Sequence, residues 1–154
     1  VKLLRSMVLA KVEKFFDDYI FKTAMRAILF GFLLTVMVQS SSITTSTIIP
    51  LAGAGVLTLR QIFPFTLGAN IGTTVTSIMA ALVLNPLAMV VAFSHLLFNI
   101  LGIITIYPIK KIREIPLYCA ETLAELSLKN RLIPLIYLGI VFVLTPLIII
   151  LIGG

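Results

Sequence analysis

Between positions 39 and 47 the chain reads Gln39-Ser40-Ser41-Ser42-Ile43-Thr44-Thr45-Ser46-Thr47, and every residue but Ile43 carries a side-chain oxygen. Hydroxyls and a carboxamide this dense are coordinating chemistry, offering lone pairs to a small hard cation and donors to an oxyanion without any formal charge. A second neutral polar cluster, Gly68-Ala69-Asn70-Ile71-Gly72-Thr73-Thr74 with Thr76 beyond it, adds further oxygens. Residues 61 to 109 hold no Asp, Glu, Lys or Arg, so a carboxylate proton relay is excluded there and only His95 is left to carry a proton. A site built this way suits an anion that arrives with its own cations. Sodium would offset the anion's charge, whose uncompensated burial is prohibitive. Each ligand would then bind weakly without the other, which is the condition for coupled transport.

The elements that position these groups belong to a membrane. The 154 residues are 60% hydrophobic and 12% charged, with mean hydropathy +1.16, more apolar surface than a soluble core of this size can hide. Ala27 to Val38 and Ile48 to Leu59 flank the hydroxyl tract. Each is about twelve residues, or roughly 18 Å as helix against a hydrocarbon core of roughly 30 Å. Two half-length helices joined by a polar tip predict a re-entrant hairpin over 24–58, tolerated only where its irregular backbone is buried in protein or lines a watery cavity.

Before the hairpin, Leu4, Val8, Val12, Phe15, Phe16 and Tyr19 recur at helical spacing opposite Lys2, Arg5, Lys11, Lys14 and Asp18, which predicts an interfacial amphipathic helix over 1–22. Gly53 and Gly55 loosen the hairpin's exit and Arg60 marks a return to water. A span over 62–84 follows. Its two glycines around Asn70 predict an unwound bend, with Thr73 or Thr74 capping the restart, hence a discontinuous transmembrane helix. The same glycines also fit close packing between helices through small residues. Asn85-Pro86 opens the next span, 87–109. A basic interfacial connector occupies 110–131, with Pro116 placed to start its helix and Glu121, Glu125 and Lys129 at i,i+4 spacing. The last span is 132–152. The fold class is therefore all-α integral membrane, made of a re-entrant hairpin, a discontinuous helix, two further spans and interfacial amphipathic helices, which the resemblance given below implies to be one transporter repeat.

The net charge of +6 sits mainly in Lys2–Arg26 and Lys110–Arg131, flanking membrane segments, which argues for anionic headgroups and against nucleic acid. Counting Lys and Arg places the amino-terminal helix, Arg60 and the connector on the cytoplasmic side of a multi-pass protein of the cell membrane. With no Trp, anchoring falls to Tyr, Lys and Arg, and the single Cys119 permits no internal disulfide. The chain opens Val1-Lys2-Leu3-Leu4 without a signal-peptide pattern and reads as a piece of something longer.

The motif series closely resembles the type II sodium-dependent phosphate cotransporters. The matching residues are Gln39-Ser40-Ser41-Ser42 followed by Thr45-Ser46, Ile49-Pro50-Leu51, Gly68 to Thr74, His95 with Phe98-Asn99, and Tyr107-Pro108-Ile109. That family carries two inverted repeats, and the wording here is similar to the second. The resemblance implies sodium-coupled symport of inorganic phosphate by alternating access, this chain supplying half of a site completed by the other inverted repeat, on the same polypeptide or on a second copy. It implies phosphate ligands among Gln39, Ser40, Ser41, Ser42, Thr73 and Thr74, and sodium ligands among Gln39, Ser40, Thr45, Asn70 and Thr73. Sodium is then the coupling ion, and no cofactor is expected.

Two other classes compete on the same residues. An intramembrane serine hydrolase would use one of Ser40 to Ser42 with His95 as base, but the chain has no Gly-x-Ser-x-Gly elbow, and three consecutive serines suit coordination better than one strained nucleophile. A passive channel would show a similar re-entrant loop but no dependence on a sodium gradient. His95 and Asn99, one helical turn apart, fit an interhelical hydrogen bond better than a proton or ligand role.

Overall fold

A computed structural model describes residue 11 and residues 13–153, so Lys2, Leu4, Arg5, Val8 and Val12 of the expected interfacial stripe lie outside the described residues. The described chain is helical throughout, with no strand: α1 is Glu13–Ile20, α2 Ala24–Val38, α3 Ser41–Gly53, α4 Leu59–Leu84, α5 Pro86–Ile106, α6 Lys110–Lys129 and α7 Leu132–Gly153. It divides into two compact units, one up to Ile109 and one from Lys110.

In the first unit, α1 meets α2 at 100°. At this corner the Thr23 hydroxyl accepts from the Arg26 N–H at 3.3 Å, capping α2. Phe16 and Ile20 pack against the apolar core formed by Phe21, Ala27, Ile48, Val56, Leu57 and Phe65, while Phe15 and Tyr19 face outward. Asp17 ties α1 to α4 by accepting from the Gln61 carboxamide at 2.5 Å. Gln61 also closes the capping box of α4, its Oε1 accepting from the Thr58 N–H at 2.8 Å.

The pairing of α2 with α4 sets the direction of everything between them. Gly68 faces Ile28, Gly31 faces Phe65 and Ala69, and Gly72 faces Phe32 and Thr35, so partners advance together and the two helices run parallel. The intervening α3 must therefore carry the chain back. Its 13 residues, about 20 Å, return along the 15 of α2, about 22 Å. Ile48 on the return arm reaches the core near Phe21 and Phe65, and Gly55, at φ +74°, turns the chain out of it. The Val56 N–H closes that turn on the Leu51 carbonyl at 2.9 Å.

The expected interruption at Gly68–Gly72 is absent: α4 is one continuous helix of 26 residues from Leu59, not a span broken after Ile62. Close packing is what the glycines serve. A Cβ on Gly31 or Gly68 would sit inside the facing backbone carbonyl, and one on Gly72 would lie 2.6 Å from the Thr35 Cβ. Unwinding there would forfeit backbone hydrogen bonds with nothing gained. Helix α5 begins as the sequence predicts, with Pro86 in its first turn and the Asn85 side chain accepting from Ala88 N–H at 2.8 Å, and ends at Ile106. It runs antiparallel to α4, and near their open end Phe63 stacks on Tyr107 with ring centroids 6.2 Å apart.

In the second unit, α6 starts at Lys110 and passes through Pro116, so that proline is interior rather than initiating. Glu121, Glu125 and Lys129 form an exposed stripe. The Asn130 side chain accepts from Leu132 N–H at 2.9 Å where α7 begins. Within α7 the turn Ile140–Leu144 widens to π geometry just before Pro146, and the Thr145 hydroxyl donates to the Ile140 carbonyl at 2.9 Å. A wider turn accommodates the ring of a proline that an α-turn would crowd. Three helices, α4, α5 and α7, are long and apolar enough to cross a membrane.

Candidate functional site

The tip between α2 and α3 is two residues wide. Gln39 ends α2 in the left-handed region at φ 58°, ψ 23°, and its N–H donates to the Thr35 carbonyl at 2.7 Å. No other non-glycine residue among those described has positive φ. Ser40 is extended and caps α3, its Oγ accepting from Ile43 N–H at 3.3 Å and its carbonyl from Thr44 N–H at 3.0 Å. The side-chain bond disposes of one orphan amide at the start of α3, that of Ile43, and the Ser40 carbonyl takes the first ordinary helix bond. The N–H groups of Ser41 and Ser42 find no partner among the described residues, nor do the carbonyls of Val36, Met37 and Val38 at the end of α2. Two opposite partial charges thus meet at one place: the negative carboxyl end of α2 and the positive amino end of α3.

Gln39 and Ser42 are exposed, Ser40 and Ser41 half-buried. The Thr45 hydroxyl is turned to its own helix, donating to the Ser41 carbonyl at 2.8 Å and approaching that of Ser42 at 3.2 Å. Along α2 and α4 formal charge is far away. Arg26 and Arg60 stand at the opposite ends of α2 and α4, about 20 Å along the helix axes from the tip.

Helix α4 supplies the facing wall. With Thr35 against Gly72, the parallel register sets Gln39 level with Thr76, which follows Gly72 by one turn on the same helix face. Thr76 donates to the Thr73 carbonyl at 2.8 Å, and half-buried Thr73 donates to the Ala69 carbonyl at 3.1 Å. Asn70 and Thr74 are each two residues from Gly72, on the far side of α4 from the tip. Of these, Asn70 is exposed and Thr74 is fully buried with its hydroxyl on the Ile71 carbonyl at 2.7 Å. The sequence-derived set therefore splits: Gln39, Ser40, Ser41, Ser42 and Thr45 lie at the tip and in the first turn of α3, Thr73 stands on α4 one turn before the level of Gln39, and Asn70 and Thr74 lie on the far side of that helix. Thr76 is the α4 hydroxyl level with the tip, and only the α2–α4 register reveals it.

Among the described residues neither His95 nor Asn99 makes the expected interhelical hydrogen bond. His95 is exposed at the edge of a groove of about 410 Å³ between α4 and α5, lined by Ser77, Ala81, Ala88 and Ala92. The Asn99 Nδ2 is buried without a partner.

A profile of the Na+/Pi-cotransporter family matches residues 2–117, three quarters of the chain and all of the tip. The chain belongs to this family. It is a family of transporters, not of enzymes, and with three membrane-length helices this member is a multi-pass membrane protein. The chain is 41% identical over 155 residues to sodium-dependent phosphate transport protein 2B of Bos taurus, covering 94% of this chain and 22% of that protein. It is 46% identical over 129 residues to the 2B protein of Homo sapiens, covering 81% of this chain and 19% of that one. Against the 2A protein of Ovis aries the identity is 38% over 160 residues, 95% of this chain and 25% of the relative. The chain thus spans about a fifth to a quarter of the curated relatives it matches. No solved structure matches it.

Proposed function

We propose that this chain supplies half of a site for sodium-coupled symport of inorganic phosphate across the cell membrane. The observation that carries the reading is the pairing of opposed helix ends at Gln39–Ser40. The open amides of Ser41 and Ser42, backed by the positive end of α3, suit phosphate oxygens, with the hydroxyls of Ser40 to Ser42 as further donors. The open carbonyls of Val36 to Val38, the Gln39 carboxamide and the hydroxyls of Thr73 and Thr76 suit sodium. An anion and a cation held side by side at a neutral tip neutralise each other, and each binds poorly alone.

The hairpin's dimensions support re-entry. Gln39 is level with Thr76, and α4 continues to Leu84, about 12 Å further, before it turns. A hairpin that folds back short of the spanning helix beside it ends inside the bilayer. An uncharged tip at that depth needs a water-filled cavity or protein around it, and an inverted partner repeat, on the same polypeptide or a second copy, provides the opposite wall. Alternating access then follows from the two repeats rocking about the shared site. The relatives' names, sodium-dependent phosphate transport proteins, agree with this reading.

Radiolabelled phosphate uptake into sealed vesicles tests it, using the chain alone and the chain joined to a candidate inverted partner, with an inward sodium gradient or with choline. Uptake that requires the gradient and is lost in Ser41→Pro, which removes the Ser41 N–H and hydroxyl at the first helical position, where proline leaves the helix intact, supports it. Uptake indifferent to sodium overturns it in favour of a channel.

A further inference from the structure

Among the described residues three buried polar atoms lack any hydrogen-bond partner: the hydroxyls of Thr35 and Thr44 and the Nδ2 of Asn99. Both threonines have no exposed surface at all. Their behaviour departs from that of the other helical threonines. Thr45, Thr47, Thr66, Thr73, Thr74, Thr76, Thr105 and Thr122 each return the hydroxyl to a carbonyl three or four residues back in their own helix. Neither Thr35 nor Thr44 makes that bond.

Their placement is paired. Thr35 lies four residues before Gln39 and Thr44 four after Ser40, so on antiparallel arms they stand level, one turn beneath the tip. Each ends an inward stripe, Ala27–Gly31–Thr35 on α2 and Thr44 with Ile48 on α3. The Thr35 Cβ and methyl lie against Gly72, 2.6 and 2.9 Å from where a Cβ there would stand, so its methyl packs on α4. Below this layer the core is entirely apolar, with Ile48, Leu34, Phe30 and Phe65. Above it are the open carbonyls that end α2.

We propose that Thr35 and Thr44 form an inner position for sodium one turn beneath the tip, in which both hydroxyls, together with the open carbonyls that end α2 and that the tip shares, supply oxygen ligands to an ion that has left its water. This rests on the sodium-coupled reading above and extends it to residues outside the tip motif. Buried hydroxyls are satisfied in folded proteins as a rule, and two fully buried orphans at one level beneath a negative helix end call for a cation rather than a second donor. The site couples to the tip mechanically, since an ion bridging α2 and α3 one turn below Gln39 fixes the spacing of the helix ends that hold phosphate.

The test uses the full chain in detergent, with thermal unfolding followed in sodium, potassium or choline chloride without phosphate. Sodium alone should stabilise the parent. In Thr35→Val and Thr44→Val the sodium concentration for half-maximal stabilisation should rise about tenfold, the ratio that accompanies loss of one ordinary ligand. In choline both variants should unfold no earlier than the parent, because the isosteric methyl removes an unsatisfied group. Thr35→Ser and Thr44→Ser, which keep the hydroxyl, should retain the parent's sodium response and cover the case in which a valine variant folds poorly. An unchanged sodium midpoint in the valine variants, or no sodium-specific stabilisation of the parent, overturns the proposal. Because phosphate is absent throughout, a failed uptake assay leaves this result standing, and the reverse also holds.

Discussion

Gly68 on α4 lies directly against the carbonyl of Ile28 on α2, and Gly31 on α2 lies against that of Phe65 on α4, so each helix places a glycine under the other's backbone. The reciprocal contact fixes both the separation and the register of the two helices. That register is what brings Thr76 level with Gln39. The strength of the contact is van der Waals packing, as expected where lipid gives no hydrophobic drive between helices.

Gly68→Ala should therefore destabilise the chain by about 1–3 kcal/mol, the usual cost of overpacking, with backbone rather than a flexible side chain resisting the new methyl. Gly53→Ala, whose Cβ meets nothing within 4 Å, is the control and should leave stability unchanged or slightly raised. Unfolding in a denaturing detergent series measures both.

This contact also explains what the sequence could and could not say. Two glycines flanking Asn70 are compatible with an unwound bend and with a tight helix crossing, and nothing local separates the two. The deciding partner, Gly31, lies 37 positions away, so the continuous α4 and the role of Thr76 become visible only once the pairing is known. The tip was legible because its signals are local. A run of hydroxyls between half-length apolar arms marks the break, but the break itself is only Gln39 and Ser40: Ser41 to Thr47, expected as part of the tip, form the first turns of α3, which ends at Gly53 rather than Leu59. Pro86 after Asn85 was legible for the same reason. Pro116 misled because a proline inside a helix and one at its start look alike until the preceding turn is seen.

Gln61 couples the foot of α4 to α1 through Asp17 and to Thr58 through the capping box. Gln61→Glu keeps the acceptor for Thr58 N–H but sets a carboxylate against Asp17. The expected outcome is an α1 detached from α4 with α4 itself intact: faster amide exchange over residues 13–20 and unchanged protection at 62–75. Equal loss of protection in both segments would refute the division of roles.

Gln39 sits in the left-handed region, where a side chain costs roughly 1 kcal/mol relative to glycine. Gln39→Gly should thus raise stability by up to about 1 kcal/mol, and the β-branched Gln39→Val should lower it by more than that. Both remove the carboxamide from the tip. If that group is a ligand, both lose sodium-dependent phosphate uptake although their stabilities move in opposite directions, which separates function from folding in a single pair of measurements.

Ser40 has two duties that one substitution can split. As the cap of α3 it accepts from Ile43 N–H, and Ser40→Ala should cost about 0.5–2 kcal/mol of stability. Aspartate is as good a cap as serine and favours the positive end of a helix, so Ser40→Asp should restore the stability that alanine loses. Its carboxylate, however, would occupy the place where phosphate oxygens meet the amides of Ser41 and Ser42, and like charge at a site of low dielectric repels strongly. Ser40→Asp is expected to unfold at the parent's temperature or above while phosphate uptake falls to background at every sodium concentration. Uptake retained in this variant would mean that the anion does not bind at the amino end of α3.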